Sequence, residues 1–97
     1  MIHELDSTFH HRVRLGICSL LLKHGRLTFK ELKEMLQVTD GNLASHLRVL
    51  EEAGVVQFEK SFQGRRPVTH YELTAEGRQR FETYLRHLRE LLGGLTA

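Results

Sequence analysis

Apolar positions recur along this chain first with a helical period and later with a period of two, and the change of period divides it into elements. Val13, Ile17, Leu20 and Leu21 stand at i, i+4, i+7 and i+8, one face of a helix over about residues 8–24. Leu15, Cys18 and Leu22 form a second apolar strip beside it. A helix that is apolar on more than one side is buried on more than one side, so a subunit contact is expected besides the core. Ser7 or Thr8 is suited to cap its start and Gly25 its end.

Thr28-Phe29-Lys30-Glu31 is a capping box. The helix it opens carries Phe29, Leu32, Met35 and Leu36 on one face and ends near Gln37. Val38-Thr39-Asp40 has room only for a turn. Thr39 or Asp40 then caps a third helix, about residues 40–53, with Leu43, Leu47 and Leu50 as its core stripe and Gly54 as its stop. Beyond Gly54 the alternation predicts strands over 55–59 and 68–73, joined by a long tip at 61–67 that contains Gly64 and Pro67. Arg26, Leu27 and Thr28 have room to add a short strand to this hairpin. Thr74-Ala75-Glu76-Gly77 opens a last helix, about residues 74–92, with the stripe Phe81, Leu85, Leu88 and Leu92 and a shoulder of Tyr84 and Leu91. The expected chain is mainly α with a small β-hairpin (α+β), in the order helix, short strand, helix, helix, hairpin, helix. At 97 residues it makes one domain, 1–97.

Two helices joined by a tight turn, the second followed at once by a hairpin, describe a helix-turn-helix with a wing. The second helix of such a pair enters the DNA major groove N-terminus first, and the hairpin reaches phosphates or the adjacent minor groove. On a helical wheel the side of residues 40–53 opposite the leucines holds Gly41, Asn42, Ser45, Arg48, Val49 and Glu52. Asn bonds bidentately to adenine, Arg to guanine, Ser to base or phosphate, and Val touches a thymine methyl. Glu51 and Glu52 come only in the last turn, where the helix leaves a groove.

Charge sharpens this picture locally. The net charge is only +2, but residues 60–71 hold Lys60, Arg65 and Arg66 and no acid, a local anion contact. Other chemistry finds little support. A single cysteine excludes a disulfide framework and a multi-cysteine zinc site and suits a reducing cytoplasm. The first ten residues lack the apolar run of a secretory signal, and the longest uncharged stretch, Leu15 to Leu22, is too short to cross a bilayer. The seven histidines, at positions 3, 10, 11, 24, 46, 70 and 87, include no i, i+4 pair, so they are expected to be scattered surface groups and no metal is assigned. His46 and His70 are the two positions where a pH-dependent DNA contact is conceivable. Cys18, among Leu and Ile, is a small buried hydrophobe by default. No nucleophile-base set, phosphate loop or acidic cluster is present, so neither an enzyme nor a cofactor is expected.

The run from Leu36 to Val56, with Thr39-Asp40-Gly41-Asn42-Leu43 at its centre, resembles the recognition-helix segment of prokaryotic winged-helix transcriptional regulators. Gly64-Arg65-Arg66-Pro67 and the residues through Arg78 resemble their wing and the start of their last helix. The nearest group is the short regulators related to the MarR and ArsR types. The resemblance, over roughly residues 8–92, implies base contacts from Asn42, Ser45 and Arg48 with His46 at the rim. It implies a phosphate held at Thr39 and the helix N-terminus, and Arg65 and Arg66 on phosphate or minor groove with Lys60 and Gln63 in support. The paired cysteines of metal-sensing ArsR proteins and the extra helices of longer MarR proteins are absent, and no effector is named by the sequence.

A last helix this long exceeds what a small core covers. The terminal helices are therefore expected to form a two-fold dimer through Leu15, Cys18, Leu22, Tyr84, Leu88 and Leu91. Such a dimer sets two recognition helices about 34 Å apart, one turn of DNA. The expected function is a homodimeric, sequence-specific binder of double-stranded DNA that regulates transcription in the cytoplasm. The alternative is a winged-helix protein-interaction module that does not bind DNA.

Overall fold

The computed structural model describes residues 5–96, with side chains as far as Gly93. His3 and Glu4 lie outside the described residues. The first helix, α1 (Arg12–His24), starts four residues later than its apolar period predicts. Its N-cap is His11, whose Nδ1 accepts the Val13 amide at 3.2 Å, rather than Ser7 or Thr8. The preceding residues are spent on a turn. The Phe9 and His10 amides donate to the carbonyls of Asp6 and Ser7, and the Thr8 amide donates to Asp6 Oδ1 at 3.0 Å. This turn drives Phe9 into the core, fully buried, 5.1 Å from the Phe81 ring and 5.5 Å from Tyr84. Gly25, at φ 83°, closes α1, a conformation that costs glycine little.

A short strand, β1 (Arg26–Thr28), leads straight into α2 (Phe29–Leu36). The capping box forms as its sequence predicts, with Thr28 Oγ1 accepting the Glu31 amide and Glu31 Oε1 accepting the Thr28 amide. Leu32 is buried, but Met35 is half exposed rather than on the core face, because three residues on from Leu32 it has turned past the edge of the packed stripe. After Gln37 and Val38 comes α3 (Asp40–Glu52), capped by Thr39, whose hydroxyl accepts the Asn42 amide at 3.1 Å. Leu43, Leu47 and Leu50 are all buried.

The hairpin is longer and tighter than its sequence suggests. β2 (Val56–Gln63) and β3 (Arg66–Leu73) pair over their whole length, and the seven-residue tip reduces to the turn at Gly64–Arg65. Ser61 pairs with Val68, Phe62 with Pro67 and Gln63 with Arg66. Pro67 is tolerated because it stands beyond the end of β1, where one side of β3 is open and no ladder bond is asked of it. Gly64 takes φ 68° at the first central position of this two-residue turn. The sheet is antiparallel, in the order β1-β3-β2.

The last helix, α4 (Ala75–Thr96), runs 22 residues, continuing through the Gly93–Gly94 pair. Thr74 starts it by accepting the Gly77 amide at 2.8 Å while donating to the Gly54 carbonyl at 2.7 Å. Phe81 and Tyr84 dock its first half on α1 and on Phe9. At about 33 Å long it accounts for the elongated shape, 53 × 25 × 21 Å. The observed architecture is four helices and a three-stranded antiparallel sheet, a winged helix.

Candidate nucleic-acid interface

The leucine stripe of α3 fixes which of its residues face outward. With Leu43, Leu47 and Leu50 pinned in the core, Gly41, Asn42, Ala44, Ser45, Arg48 and Val49 are exposed. Asn42, Ser45 and Arg48 thus share one open face, as the wheel predicts. Thr39 sits at its head with its hydroxyl committed to the cap. The amides just ahead of Asn42 are those a helix start leaves open, where an anion is favoured. The one acid of this first turn, Asp40, is neutralised by Lys33 of α2 at 2.9 Å, an ion pair that spans the turn.

His46 departs from its expected place at the rim. It is half-buried in the seam between α3 and α1, its ring 4.1 Å from His11 and its Nδ1 3.1 Å from Arg14 Nη1. An arginine only donates, so the imidazole accepts at Nδ1 and carries its proton on Nε2. Burial lowers the His46 pKa below its ordinary value, and the electrostatic influence of His11 and Arg14 beside it lowers it further. His70 lies on the outer face of the hairpin, in register with Glu59 and Thr28, so it too is away from the α3 face.

The wing carries Lys60, Gln63, Arg65 and Arg66, all exposed. Gln63 and Arg66 flank the turn and Arg65 lies in it. Lys60 sits 5.8 Å over the ring of Phe58. On the opposite face Glu59 is paired with Arg26, and Gln57 donates to Glu72 at 2.9 Å. Register puts Gln63 and Arg66 on that same face but nearer the turn, so the acids of the hairpin lie toward its base, away from the basic tip. Phe62 is 75% exposed, which the sequence reading did not single out. The signal was present in the alternation, since Phe58, Lys60 and Phe62 are separated by steps of two. The His11–His46–Arg14 cluster carried no local signal, because His46 stands 32 residues along the chain from Arg14 and farther still from His11.

Two of the six residues expected at a dimer face are not available for one. Cys18 is fully buried and Tyr84 is 2% exposed. Tyr84 packs on Phe9 and Phe81 and its hydroxyl lies 3.1 Å from His10 Nδ1, so both residues belong to the protomer's own core. Burial raises the Cys18 thiol to about 12, which leaves no thiolate for redox chemistry at neutral pH. Leu15, Leu22, Leu88 and Leu91 are partly exposed. Among the described residues no three metal-ligating side chains gather, and no helix is long and apolar enough to cross a membrane.

Residues 13–92 match the model of a family described as winged helix DNA-binding domain. The chain is 40% identical over 83 residues to the uncharacterized protein MJ0432 of Methanocaldococcus jannaschii, covering 86% of this chain and 90% of that one. Its fold is similar to that of a transcriptional regulator homologue from Pyrococcus horikoshii OT3. That match has a TM-score of 0.91 and 34% identity over 99% of this chain and 97% of that one. It is also similar to Rv0081 of M. tuberculosis, with a TM-score of 0.73 and 26% identity over 98% and 92% of the two chains.

Proposed function

The chain belongs to the winged helix DNA-binding domain family, and from that premise we propose that it regulates transcription as a homodimer on double-stranded DNA. In each protomer α3 lies in the major groove. Asn42, Ser45 and Arg48 meet base edges, and the start of the helix at Thr39 meets a phosphate. Arg65 and Arg66, with Lys60 and Gln63 beside them, hold flanking phosphates and the minor groove. The observation that carries this reading is the juxtaposition of an outward α3 face, whose one early acid is paired with Lys33, with a wing whose acids are partnered toward its base, away from the basic turn. A domain built only to bind protein has no need of that segregation.

The dimer rests on α4 and α1. Leu91 stands clear of the core, while Leu15, Leu22 and Leu88 lie at its edge. A second copy supplies the cover these residues lack. Such a regulator carries out no reaction and works in the cytoplasm, where prokaryotic DNA is found.

Binding of duplex fragments from around its own gene, followed by fluorescence anisotropy across about 50 to 200 mM salt, tests this function. Wild type should bind with affinity that falls steeply as salt rises. Arg65→Ala/Arg66→Ala should weaken all fragments alike with a shallower salt slope, and Asn42→Ala should flatten the preference among fragments. Wild type that binds no fragment at low salt would point instead to a protein-interaction module.

A further inference from the structure

We propose that Phe62 is an apolar wedge that the wing places in the DNA minor groove, so that this regulator bends the DNA it binds. The proposal rests on the DNA-binding function above and adds a residue and a consequence to it.

Three observations converge on Phe62. It is 75% exposed, the most exposed large apolar side chain among the described residues. Its cross-strand partner is Pro67, also exposed, so the end of the wing carries an apolar pair rather than an isolated ring. Register fixes the direction of that pair. Val56, Phe58, Lys60 and Phe62 share one face of β2, opposite Leu73, Tyr71, Thr69 and Pro67 of β3. At the base of the hairpin this face packs on the helical layer, where Val56 is buried and the Tyr71 ring lies 6.5 Å from Phe29 of α2. Two pairs further out on the same face, Phe62 is open to solvent.

The surroundings select the occupant. From Lys60 to Tyr71 the chain holds three cations and no acid, with Arg65 and Arg66 at the turn immediately beyond Phe62. An apolar centre with a cationic rim complements a groove with apolar sugar walls and phosphates along both edges. The B-DNA minor groove, about 6 Å wide, has that form. Phe and Pro side chains that enter it pry base steps apart and kink the duplex toward the major groove, where α3 would lie.

The test uses the full chain and the tightest-binding duplex fragment found above, end-labelled so that energy transfer reports the bend. Phe62→Ala should bind about tenfold more weakly, a difference of 1.4 kcal/mol, and should bend the duplex less. Its salt slope should match wild type because no charge changes. Its melting temperature should also match, because the ring is exposed. Phe62→Leu, which keeps an apolar wedge, should retain most of the bend. Unchanged affinity and bend in Phe62→Ala would overturn the proposal. So would loss of self-association with bending intact, which would assign the ring to a second copy of the chain. Failure of wild type itself to bind duplex DNA at low salt would instead remove the underlying function, and the wedge with it.

Discussion

The guanidinium of Arg80 joins Asp6 across 74 residues of sequence, with Nη2 2.9 Å from Oδ2. The same side chain donates from Nη1 to the Ala53 carbonyl at 3.0 Å and lies over the Phe9 ring at 5.8 Å. One residue of α4 thus fixes the segment that inserts Phe9 and the C-terminal end of α3, the helix that presents the base-reading face.

Removing that tie should destabilise the fold. Arg80→Ala loses charge-assisted hydrogen bonds that are only partly exposed, so a cost of about 1–2 kcal/mol is expected, measured as a lower urea midpoint at unchanged m-value. Asp6 supplies the pH signature. Burial works against its ionisation, but the Thr8 amide and Arg80 together outweigh that and hold the carboxyl below its ordinary value of 3.8. A carboxyl depressed in the folded state contributes stability above its ordinary value and loses it as pH falls through the lowered one. Asp6→Asn should therefore be less stable than wild type at neutral pH, with the gap closing only in strong acid. A gap that stays constant through the acid range would remove the ionic role.

Gly77 and Gly16 make a sharper contrast. A Cβ at Gly77 would lie 2.0 Å from the Val55 carbonyl oxygen, a backbone atom with nowhere to go. At Gly16 the obstacle is the Leu36 Cδ2 at 2.7 Å, the free end of a rotatable side chain. Gly77→Ala should cost at the upper end of the roughly 1–3 kcal/mol seen for overpacked sites. Gly16→Ala, helped by the better helix propensity of alanine, should stay within about 1 kcal/mol of wild type. Equal melting temperatures for the two variants would contradict this geometry.

Sequence periodicity was sufficient for what depends on near neighbours. The capping box at Thr28 and Glu31, the Thr39 cap and the leucine stripe of α3 all form as their spacing predicts, and with them the open face of Asn42, Ser45 and Arg48. What escaped was set by contacts distant in sequence. Cys18 and Tyr84 read as a spare apolar strip because nothing local shows that Phe9 folds back to complete the core beside Tyr84. His46 read as a rim residue because its partners, His11 and Arg14, come from another helix. Within the predicted hairpin, residues 61–67 read as a long tip because Gly64 and Pro67 are breakers in isolation, whereas full pairing of β2 with β3 absorbs both.

The unburied leucines of α4 predict an assembly. Leu91→Glu places a charge on a position partly exposed and outside the core, so the protomer should remain folded by circular dichroism. Sedimentation should report a dimer for wild type and a monomer for the variant. Affinity for a two-half-site duplex should fall at least tenfold, because the second recognition helix no longer binds as part of the same molecule. A variant that remains dimeric would move the interface elsewhere.

The histidine pair at the α1–α3 seam gives the last prediction. His46 packs on His11 and accepts from Arg14, and His11 Nδ1 caps α1 by accepting the Val13 amide. Protonating His46 would remove the acceptor that Arg14 uses and set a second cation beside the guanidinium. Burial, with His11 and Arg14, accordingly holds the His46 pKa below its ordinary value of 6.5. For a base depressed in the folded state, the unfolded chain takes up the proton first. Stability is therefore complete above about 6.5 and declines as pH falls from there through the lowered value. The melting temperature of wild type should be lower at about pH 5.5 than at about pH 7.5. His46→Gln keeps a neutral acceptor for Arg14 but does not titrate, so its melting temperatures at the two pH values should lie closer together. If the variant shows the same drop as wild type, the acid sensitivity belongs to other groups and the seam is not its source.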